Sequence, residues 1–373
     1  MRIFVISITI VLSLWMQPLP VRAEQVPVYA GSTLVNSSKI DFSSPAFAAA
    51  WVNALARYTG KTEAQLRHIP GLVPADLAKA IERYYFEAVP PEFWPGTEPV
   101  YWLHVFANKR RLRQLTRDAN LPIWPAERET TIVWLLDETG GMPQLAANSR
   151  DTAAAYWLQK RAEQAGLPLR WANNAATMPE SVSLDALRRL SSSVVDYAHD
   201  AFGFKPVLLL SLSPLAVSAH TALGKKAVGS TSDENLQRSA ARPLQWRMAF
   251  AMPDETLTRY HGTAATPDIA ARQVIAKLRQ WQSARERLYP EERKSHEISL
   301  QINGLREYSE VDSTLKALSR LSVVEDYLIE RFRPGQIQLK LHLGVTTEAF
   351  LRYLQQAGRF RIIQREPLVL EKL

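Results

Sequence analysis

Cysteine is absent from the 373-residue sequence, which excludes disulfides, thiolate metal sites and a cysteine nucleophile. Lipid attachment through an N-terminal cysteine is excluded for the same reason. Histidine is scarce, with 7 residues scattered singly along the chain. The sequence also lacks the G-x-S-x-G and H-E-x-x-H patterns of common hydrolases. We therefore expect apolar cores to hold the domains together. We find no cofactor motif that would indicate an enzyme.

Long apolar runs are absent after the N-terminus. The single run, Ile3 to Met16, follows Arg2. It is followed by Val21-Arg22-Ala23, which places small residues at the two positions before Glu24 that signal peptidase recognises. This pattern predicts a signal peptide over residues 1–23 that is cleaved after Ala23. An uncleaved anchor is the alternative, but the run is shorter than the ~20 residues of a spanning helix. We expect a soluble periplasmic protein with no membrane-spanning segment after cleavage.

Charge of one sign is not strongly in excess. The formal net charge is +8, and two of the basic residues, Arg2 and Arg22, lie in the predicted signal peptide. A balance this mild does not indicate a protein that wraps a polyanion. Together with the predicted export, it indicates a protein that does not bind nucleic acid.

The pattern of strands and helices predicts three modules of mixed α+β and α/β class. They are an N-terminal α+β module (24–122), a central small α/β layer (128–289) with a mobile polar loop (218–242), and a C-terminal ferredoxin-like module (296–373). Ser44 and Pro45 mark the start of a helix in the first module. The continuous apolar run Thr131–Leu136 predicts a central strand buried on both faces.

The C-terminal module carries the clearest periodicity. Ile298, Leu300 and Ile302 alternate with polar residues, and the segment from Ile337 to Leu343 alternates in the same way. Apolar residues at helical spacing lie between the two strands. The predicted order is therefore βαββαβ, the split βαβ arrangement of ferredoxin-like folds.

One constellation has the spacing of a metal site. Asp196, His199 and Asp200 are related by i, i+3 and i+4, so a helix would place them on one face. A complete site needs a further ligand that the sequence does not supply. The alternative, a solvated polar end of a helix before Gly203, explains the same residues without a metal.

Two basic groups are candidate interaction surfaces. Arg110, Arg113 and Arg117 lie at helical spacing, and Arg359 and Arg361 flank Phe360 in the last module. Such faces can contact anionic lipid, lipopolysaccharide phosphates or an acidic protein partner. The simpler alternative is a solvated charged face.

An aromatic cluster in the first module is a candidate surface for stacking on a glycan, and its alternative is a core between modules. Its members are Tyr84, Tyr85, Phe86, Phe93, Trp94, Tyr101 and Trp102.

Three segments carry a family resemblance: Phe47–Gly60, the pair Leu121–Trp124 and Val133–Glu138, and Gln164–Leu169. They resemble the exported proteobacterial proteins grouped as the domain of unknown function 2066 family. The resemblance is spread over most of the chain after residue 23. It implies a protein of the Gram-negative envelope, and it transfers neither an activity nor a catalytic residue.

Together these features favour a non-enzymatic binding or scaffold protein of the cell envelope with an envelope protein as partner. Small sheets with a free edge suit pairing with a partner strand. The alternative is a hydrolase or binding protein for an envelope glycan or lipid, with its site between the first two modules. A concave pocket with convergent Asp, Glu or His side chains would favour that alternative.

Overall fold

The computed structural model of the chain describes residues 24–94, 96–172, 182–203, 205–215, 243–251, 256–305, 307–319, 321–357 and 360–372. The predicted signal peptide (1–23) and the predicted mobile loop (218–242) lie outside these residues. No helix within the described ranges combines the length and the apolarity needed to cross a membrane.

The described chain has mixed α and β structure. Its strands are β1 (Glu24–Gln25), β2 (Ala30–Val35), β3 (Ile81–Ala88), β4 (Tyr101–Ala107), β5 (Glu127–Arg128), β6 (Thr131–Asp137), β7 (Gln144–Ala146), β8 (Leu169–Trp171), β9 (Val207–Pro214), β10 (Leu244–Ala251), β11 (Thr258–Ala264), β12 (His296–Leu305), β13 (Val324–Arg333), β14 (Gly335–Leu343), β15 (Phe360–Arg365) and β16 (Leu368–Lys372). Its helices are α1 (Pro45–Thr59), α2 (Glu63–Arg67), α3 (Leu77–Ala80), α4 (Lys109–Asp118), α5 (Ala153–Ala165), α6 (Leu184–Arg188), α7 (Ser192–Phe202), α8 (Pro267–Glu286), α9 (Tyr308–Ser319) and α10 (Thr347–Ala357).

Two compact units divide the described chain, one spanning Glu24–Lys294 and the other beginning at Ser295. The predicted N-terminal and central modules both lie in the first unit, where each contributes a sheet. The overall class is therefore the mixed, multi-module α and β architecture that the sequence predicts.

The smaller sheet of the first unit is antiparallel, in the order β2-β4-β3. Helix α1 packs on one of its faces and begins as predicted, with the Ser44 side chain accepting from the Ala46 amide and Pro45 in the first turn. Gly60 ends the helix in the left-handed region (φ 69°). Gly31 on β2 lets the helix approach, because a Cβ there would lie 2.1 Å from the Ala50 carbonyl oxygen.

The larger sheet has six strands, with β6 parallel to both β8 and β9. Every residue of β6 is buried, as predicted for a strand covered on both faces. Alternate residues of β6 and β9 pack with α5 and α8 in one apolar cluster and with α6 and α7 in another. The larger sheet is therefore the middle of three layers.

Buried arginines connect the layers of the first unit. Arg57 on α1 donates to the carbonyl oxygens of Pro27 (3.1 Å), Gln164 (3.2 Å) and Glu163. Arg128 donates to the carbonyl oxygens of Gly166 and Arg57, at 2.5 Å each. These carbonyls include those left unpaired at the C-terminal end of α5, where a cation is also favoured by the helix dipole. Both guanidinium groups therefore hold α1 against the end of α5.

The C-terminal unit has the element order βαββαββ and the sheet order β13-β14-β12-β16-β15. The sequence predicted βαββαβ and missed one strand. After α10 the chain forms β15 at the edge of the sheet and then returns as β16, which runs parallel to β12. Residues of β14 are alternately buried and half-buried, so one face of this sheet carries the core, as the periodicity predicted.

Candidate functional site

A cleft of about 310 Å³ lies in the first unit between the smaller sheet and helix α5. The strands β2, β3 and β4 form its floor, and polar residues of α5 form the facing wall. Its lining includes Ser32, Arg57, Tyr85, Trp102, His104, Phe106, Gln159, Lys160, Glu163 and Gln164. Arg57, however, is not available to a ligand, because its buried guanidinium donates to backbone carbonyl oxygens. Burial lowers its pKa to about 10, which still leaves it charged at neutral pH.

Strand alternation places the side chains of the floor. On β4, Leu103 and Val105 belong to the apolar cluster around α1, whereas Trp102 and His104 lie on the opposite face and line the cleft. On the neighbouring strand, Tyr85 stacks on His104 across the sheet. The period of two therefore separates a structural face from a face that is open to a ligand.

A row of flat rings runs along the floor. The Tyr85 and His104 rings are stacked, with centroids 4.6 Å apart and planes 18° apart. Tyr85 is also 6.2 Å from the Phe106 ring, and the Arg83 guanidinium lies 4.1 Å above that ring. The Tyr85 side chain is 49% exposed, so its ring offers apolar surface and a hydroxyl to solvent.

A chain of charged groups joins the floor to the wall. One Glu87 oxygen lies 3.0 Å from His104 Nε2, and the other accepts from Lys160 Nζ at 2.7 Å. Lys160 Nζ also lies 3.4 Å from a Glu163 oxygen. A single ammonium therefore sits between two carboxylates, with an imidazole bound to one of them.

The protonation states follow from burial and these contacts. Burial raises the pKa of Glu87, but the hydrogen bond and charge of Lys160, with His104, lower it below its ordinary value overall. Burial lowers the pKa of Lys160, but Glu87 and Glu163 raise it overall. Burial also lowers the pKa of His104, and this outweighs the effect of Glu87. At neutral pH the network is a carboxylate, an ammonium and a neutral imidazole.

This arrangement suits binding better than hydrolysis. Glycoside hydrolysis requires a carboxylic acid that keeps its proton, which means a raised pKa. Glu87 has a lowered pKa, because it is hydrogen-bonded to Lys160 and His104. The hydrogen bond to ionised Glu87 assigns the His104 proton to Nε2, which leaves Nδ1 as an acceptor.

The proposed metal ligands lie on α7. Asp196 and Asp200 are exposed, and His199 is half-buried. Over the described ranges, no group of three or more His, Cys, Asp or Glu side chains is placed to hold a metal ion. Within the described part of the chain, the i, i+3, i+4 spacing is therefore not completed by a further ligand from another element.

The first basic candidate surface lies on α4, where Arg110, Arg113 and Arg117 are all exposed. Arg113 is anchored, because its Nε donates to the Tyr29 hydroxyl at 2.9 Å. The second candidate surface is divided: Arg359 lies outside the described residues, and Arg361 forms an ion pair with Glu371 on the adjacent strand.

The aromatic cluster is mostly core. Tyr84 packs edge-on against Phe42 and Phe47, and Phe93 stacks on Tyr156. Only Tyr85, among the residues of that cluster, combines high exposure with a position in the cleft.

Sequence reasoning did not single out Glu87, His104, Lys160 or Glu163. The available signal was the alternation along Tyr101–Ala107, which sets His104 on the same face as Trp102. The partners of His104 could not be predicted, because Lys160 is 73 residues away from Glu87 in sequence.

Comparison of the chain with protein-family models, with curated proteins and with solved structures finds no match. The resemblance to the domain of unknown function 2066 family therefore stays a prediction.

Proposed function

We propose that the protein is an exported, non-enzymatic binding protein of the cell envelope that holds a saccharide in the cleft. The observation that carries this proposal is the stacked ring row of Tyr85, His104 and Phe106 facing the charged wall of α5. A sugar ring has an apolar face that packs on aromatic rings and hydroxyls that need hydrogen-bond partners. The cleft supplies aromatic rings on one side and hydrogen-bond partners on the other.

The charged wall specifies the kind of ligand. Glu163 can accept hydrogen bonds from hydroxyls or amides, while Lys160 and Gln159 can donate. A mixed set of donors and acceptors suits a neutral or N-acetylated sugar better than an acyl chain. An N-acetylated hexosamine disaccharide, the repeat of the envelope glycan in bacteria, has this chemistry.

Calorimetric titration of the purified protein with the N-acetylglucosamine–N-acetylmuramic acid disaccharide tests the proposal. We expect Tyr85→Ala to weaken binding about tenfold, since a ring contact contributes roughly 0.5–1.5 kcal/mol. Tyr84→Ala is the matched control, because Tyr84 is on the same strand and similarly exposed (42%) but contacts Phe42 and Phe47.

Equal affinity in both variants would overturn the assignment of the cleft. Absence of binding by this anionic disaccharide and also by neutral oligosaccharides would overturn the proposal of a saccharide ligand. Binding of phospholipid or fatty acid in the cleft, lost in Tyr85→Ala, would favour a lipid instead.

A second function is favoured by the charge arrangement on α4. Lys109, Arg110 and Arg111 occupy its first turn, which contains no acidic residue. Cations at this end of a helix oppose the helix dipole, so they do not serve the stability of the helix. Attachment of this face to anionic lipid headgroups accounts for their position.

Liposome co-sedimentation tests this attachment. The protein should bind vesicles that contain phosphatidylglycerol in a salt-sensitive way. Arg110→Ala with Arg117→Ala should weaken binding about thirtyfold, at ~1 kcal/mol for each of the two cations. Lys316→Ala with Lys372→Ala removes two charges elsewhere and is the matched control. Binding that ignores salt, or that both double variants weaken equally, would contradict the attachment.

A further inference from the structure

Strand β13 forms one edge of the sheet in the C-terminal unit. Among the described strands it pairs only with β14, and it is 10 residues long. Three large apolar side chains on it are exposed: Leu328 (62%), Ile329 (45%) and Phe332 (56%). A long edge strand with exposed apolar residues is a template for pairing with another strand, and monomeric proteins usually avoid it.

The pairing with β14 assigns each residue of β13 to a face of the sheet. Tyr327, Ile329 and Phe332 lie opposite the buried Leu341, Leu339 and Ile337, so they share the face that carries the core. Asp326, Leu328 and Arg331 lie opposite His342, Lys340 and Gln338, so they share the open face. Glu325 and Glu330 fall at the two irregularities of the ladder.

Charge along β13 changes sign from one end to the other. Glu325 and Asp326 stand near its start. Arg331 and Arg333 stand at its end, beside one acid, Glu330. A second copy of this strand that runs antiparallel sets each acidic end against a basic end. A parallel copy would set like charges side by side, which is destabilising. The strand is therefore complementary to itself in one direction only.

We propose that two copies of the chain associate by antiparallel pairing of β13 with β13. In the register that matches the faces, Leu328 lies opposite Leu328 of the second copy. Because Glu330 is the extra residue at an irregularity of the ladder, Asp326 then lies opposite Arg331 instead of Glu330. On the core face the same register places Ile329 opposite Tyr327. Apolar side chains then meet apolar side chains and Asp326 meets Arg331, while the two sheets become one continuous sheet.

Analytical ultracentrifugation over a wide concentration range tests the pairing with the complete protein. The wild-type protein should show a concentration-dependent monomer–dimer equilibrium. Leu328→Arg should weaken dimerisation at least about tenfold, since like charges meet at the centre of the pairing. Ile363→Arg is the matched control, because Ile363 is similarly exposed (53%) but lies on β15 at the opposite edge.

Charge reversal tests the register. Asp326→Arg and Arg331→Asp should each weaken the dimer about tenfold through repulsion at two symmetric contacts, and the double variant should recover wild-type dimerisation. Circular dichroism verifies that each variant is folded. A protein that stays monomeric at every concentration would overturn the proposal. So would a dimer that Leu328→Arg leaves intact, or a double variant as weak as the single ones.

Discussion

Arginine is used differently in the two compact units. In the unit Glu24–Lys294, Arg57, Arg128 and Arg161 are each at most 6% exposed, whereas every described arginine of the C-terminal unit is exposed. The buried arginines donate to helix-end carbonyls or, for Arg161, to Asp268 at 2.6 and 2.8 Å. The buried arginines of the first unit therefore hold together the layers that enclose the cleft.

The sheets of the two units also differ in how far they are covered. The larger sheet of the first unit is covered by helices on both faces, and its central strand β6 is completely buried. The C-terminal sheet has one polar open face and an exposed edge at β13. This difference is the basis on which we propose small-ligand binding for the first unit, where side chains are fixed, and strand pairing for the second, where backbone is accessible.

The largest effect is expected at Arg128. Arg128→Met leaves the carbonyl groups of Arg57 and Gly166 buried without their donor, and should lower the free energy of unfolding by about 3–5 kcal/mol. Denaturant unfolding followed by tryptophan fluorescence measures this loss. The signal reports the first unit, because all 10 tryptophans precede residue 282. Arg361→Met removes an exposed ion pair and should cost less than about 1 kcal/mol. Circular dichroism follows the unfolding of this variant, because residues 295–373 contain no tryptophan. Equal losses in the two variants would erase the contrast between the units.

Within the C-terminal unit, core and edge should respond differently. Leu339 is fully buried, so Leu339→Ala should lower the free energy of unfolding by about 2–5 kcal/mol. Leu328→Ala on the exposed edge should change it by less than about 0.5 kcal/mol when measured on the monomer. Urea unfolding followed by circular dichroism at low protein concentration gives both values. A large loss at Leu328 would mean that β13 belongs to the core.

A smaller, pH-dependent effect is expected at Glu286. Burial raises the pKa of this carboxyl to about 7, although hydrogen bonds from Trp124 (2.7 Å) and Gln282 (2.9 Å) oppose the rise. The folded state holds a proton that the unfolded state releases near its ordinary pKa of 4.5. The resulting stability is complete below that value and is lost as the pH rises through about 7.

Glu286→Gln removes this titration and keeps a side chain that can accept from Trp124. The difference in unfolding free energy, variant minus wild type, should therefore grow between these pH values by at most about 1.4 kcal/mol per pH unit. Unfolding at several pH values measures the slope. A difference that stays constant would show that Glu286 is ionised in the folded protein.

Periodicity was sufficient for most elements of the fold. The apolar run of β6, the alternation of β12 and β14, and the start of α1 at Pro45 were all predictable, because each depends on a local pattern. The strand β16 was missed because Leu368–Lys372 is a short run that follows directly after β15. Only its parallel pairing with β12, a non-local contact, makes it part of the sheet.

The residues that line the cleft were not predicted as a set. A site between the first two predicted modules was named only as the location for the alternative function. Which faces meet there depends on how α5 packs on the smaller sheet, and local patterns carry no information about that packing. Asp196, His199 and Asp200 show the same limit, because helical spacing places three side chains on one face and carries no information about a further ligand.

Hydrogen–deuterium exchange with and without the N-acetylglucosamine–N-acetylmuramic acid disaccharide tests the central claim most directly, because it compares both units in one experiment. Saccharide binding in the cleft should slow exchange in β3, β4 and α5, and should leave the amides after Ser295 unchanged. Protection confined to the C-terminal unit, or none in β3, β4 and α5 at saturating saccharide, would contradict the account.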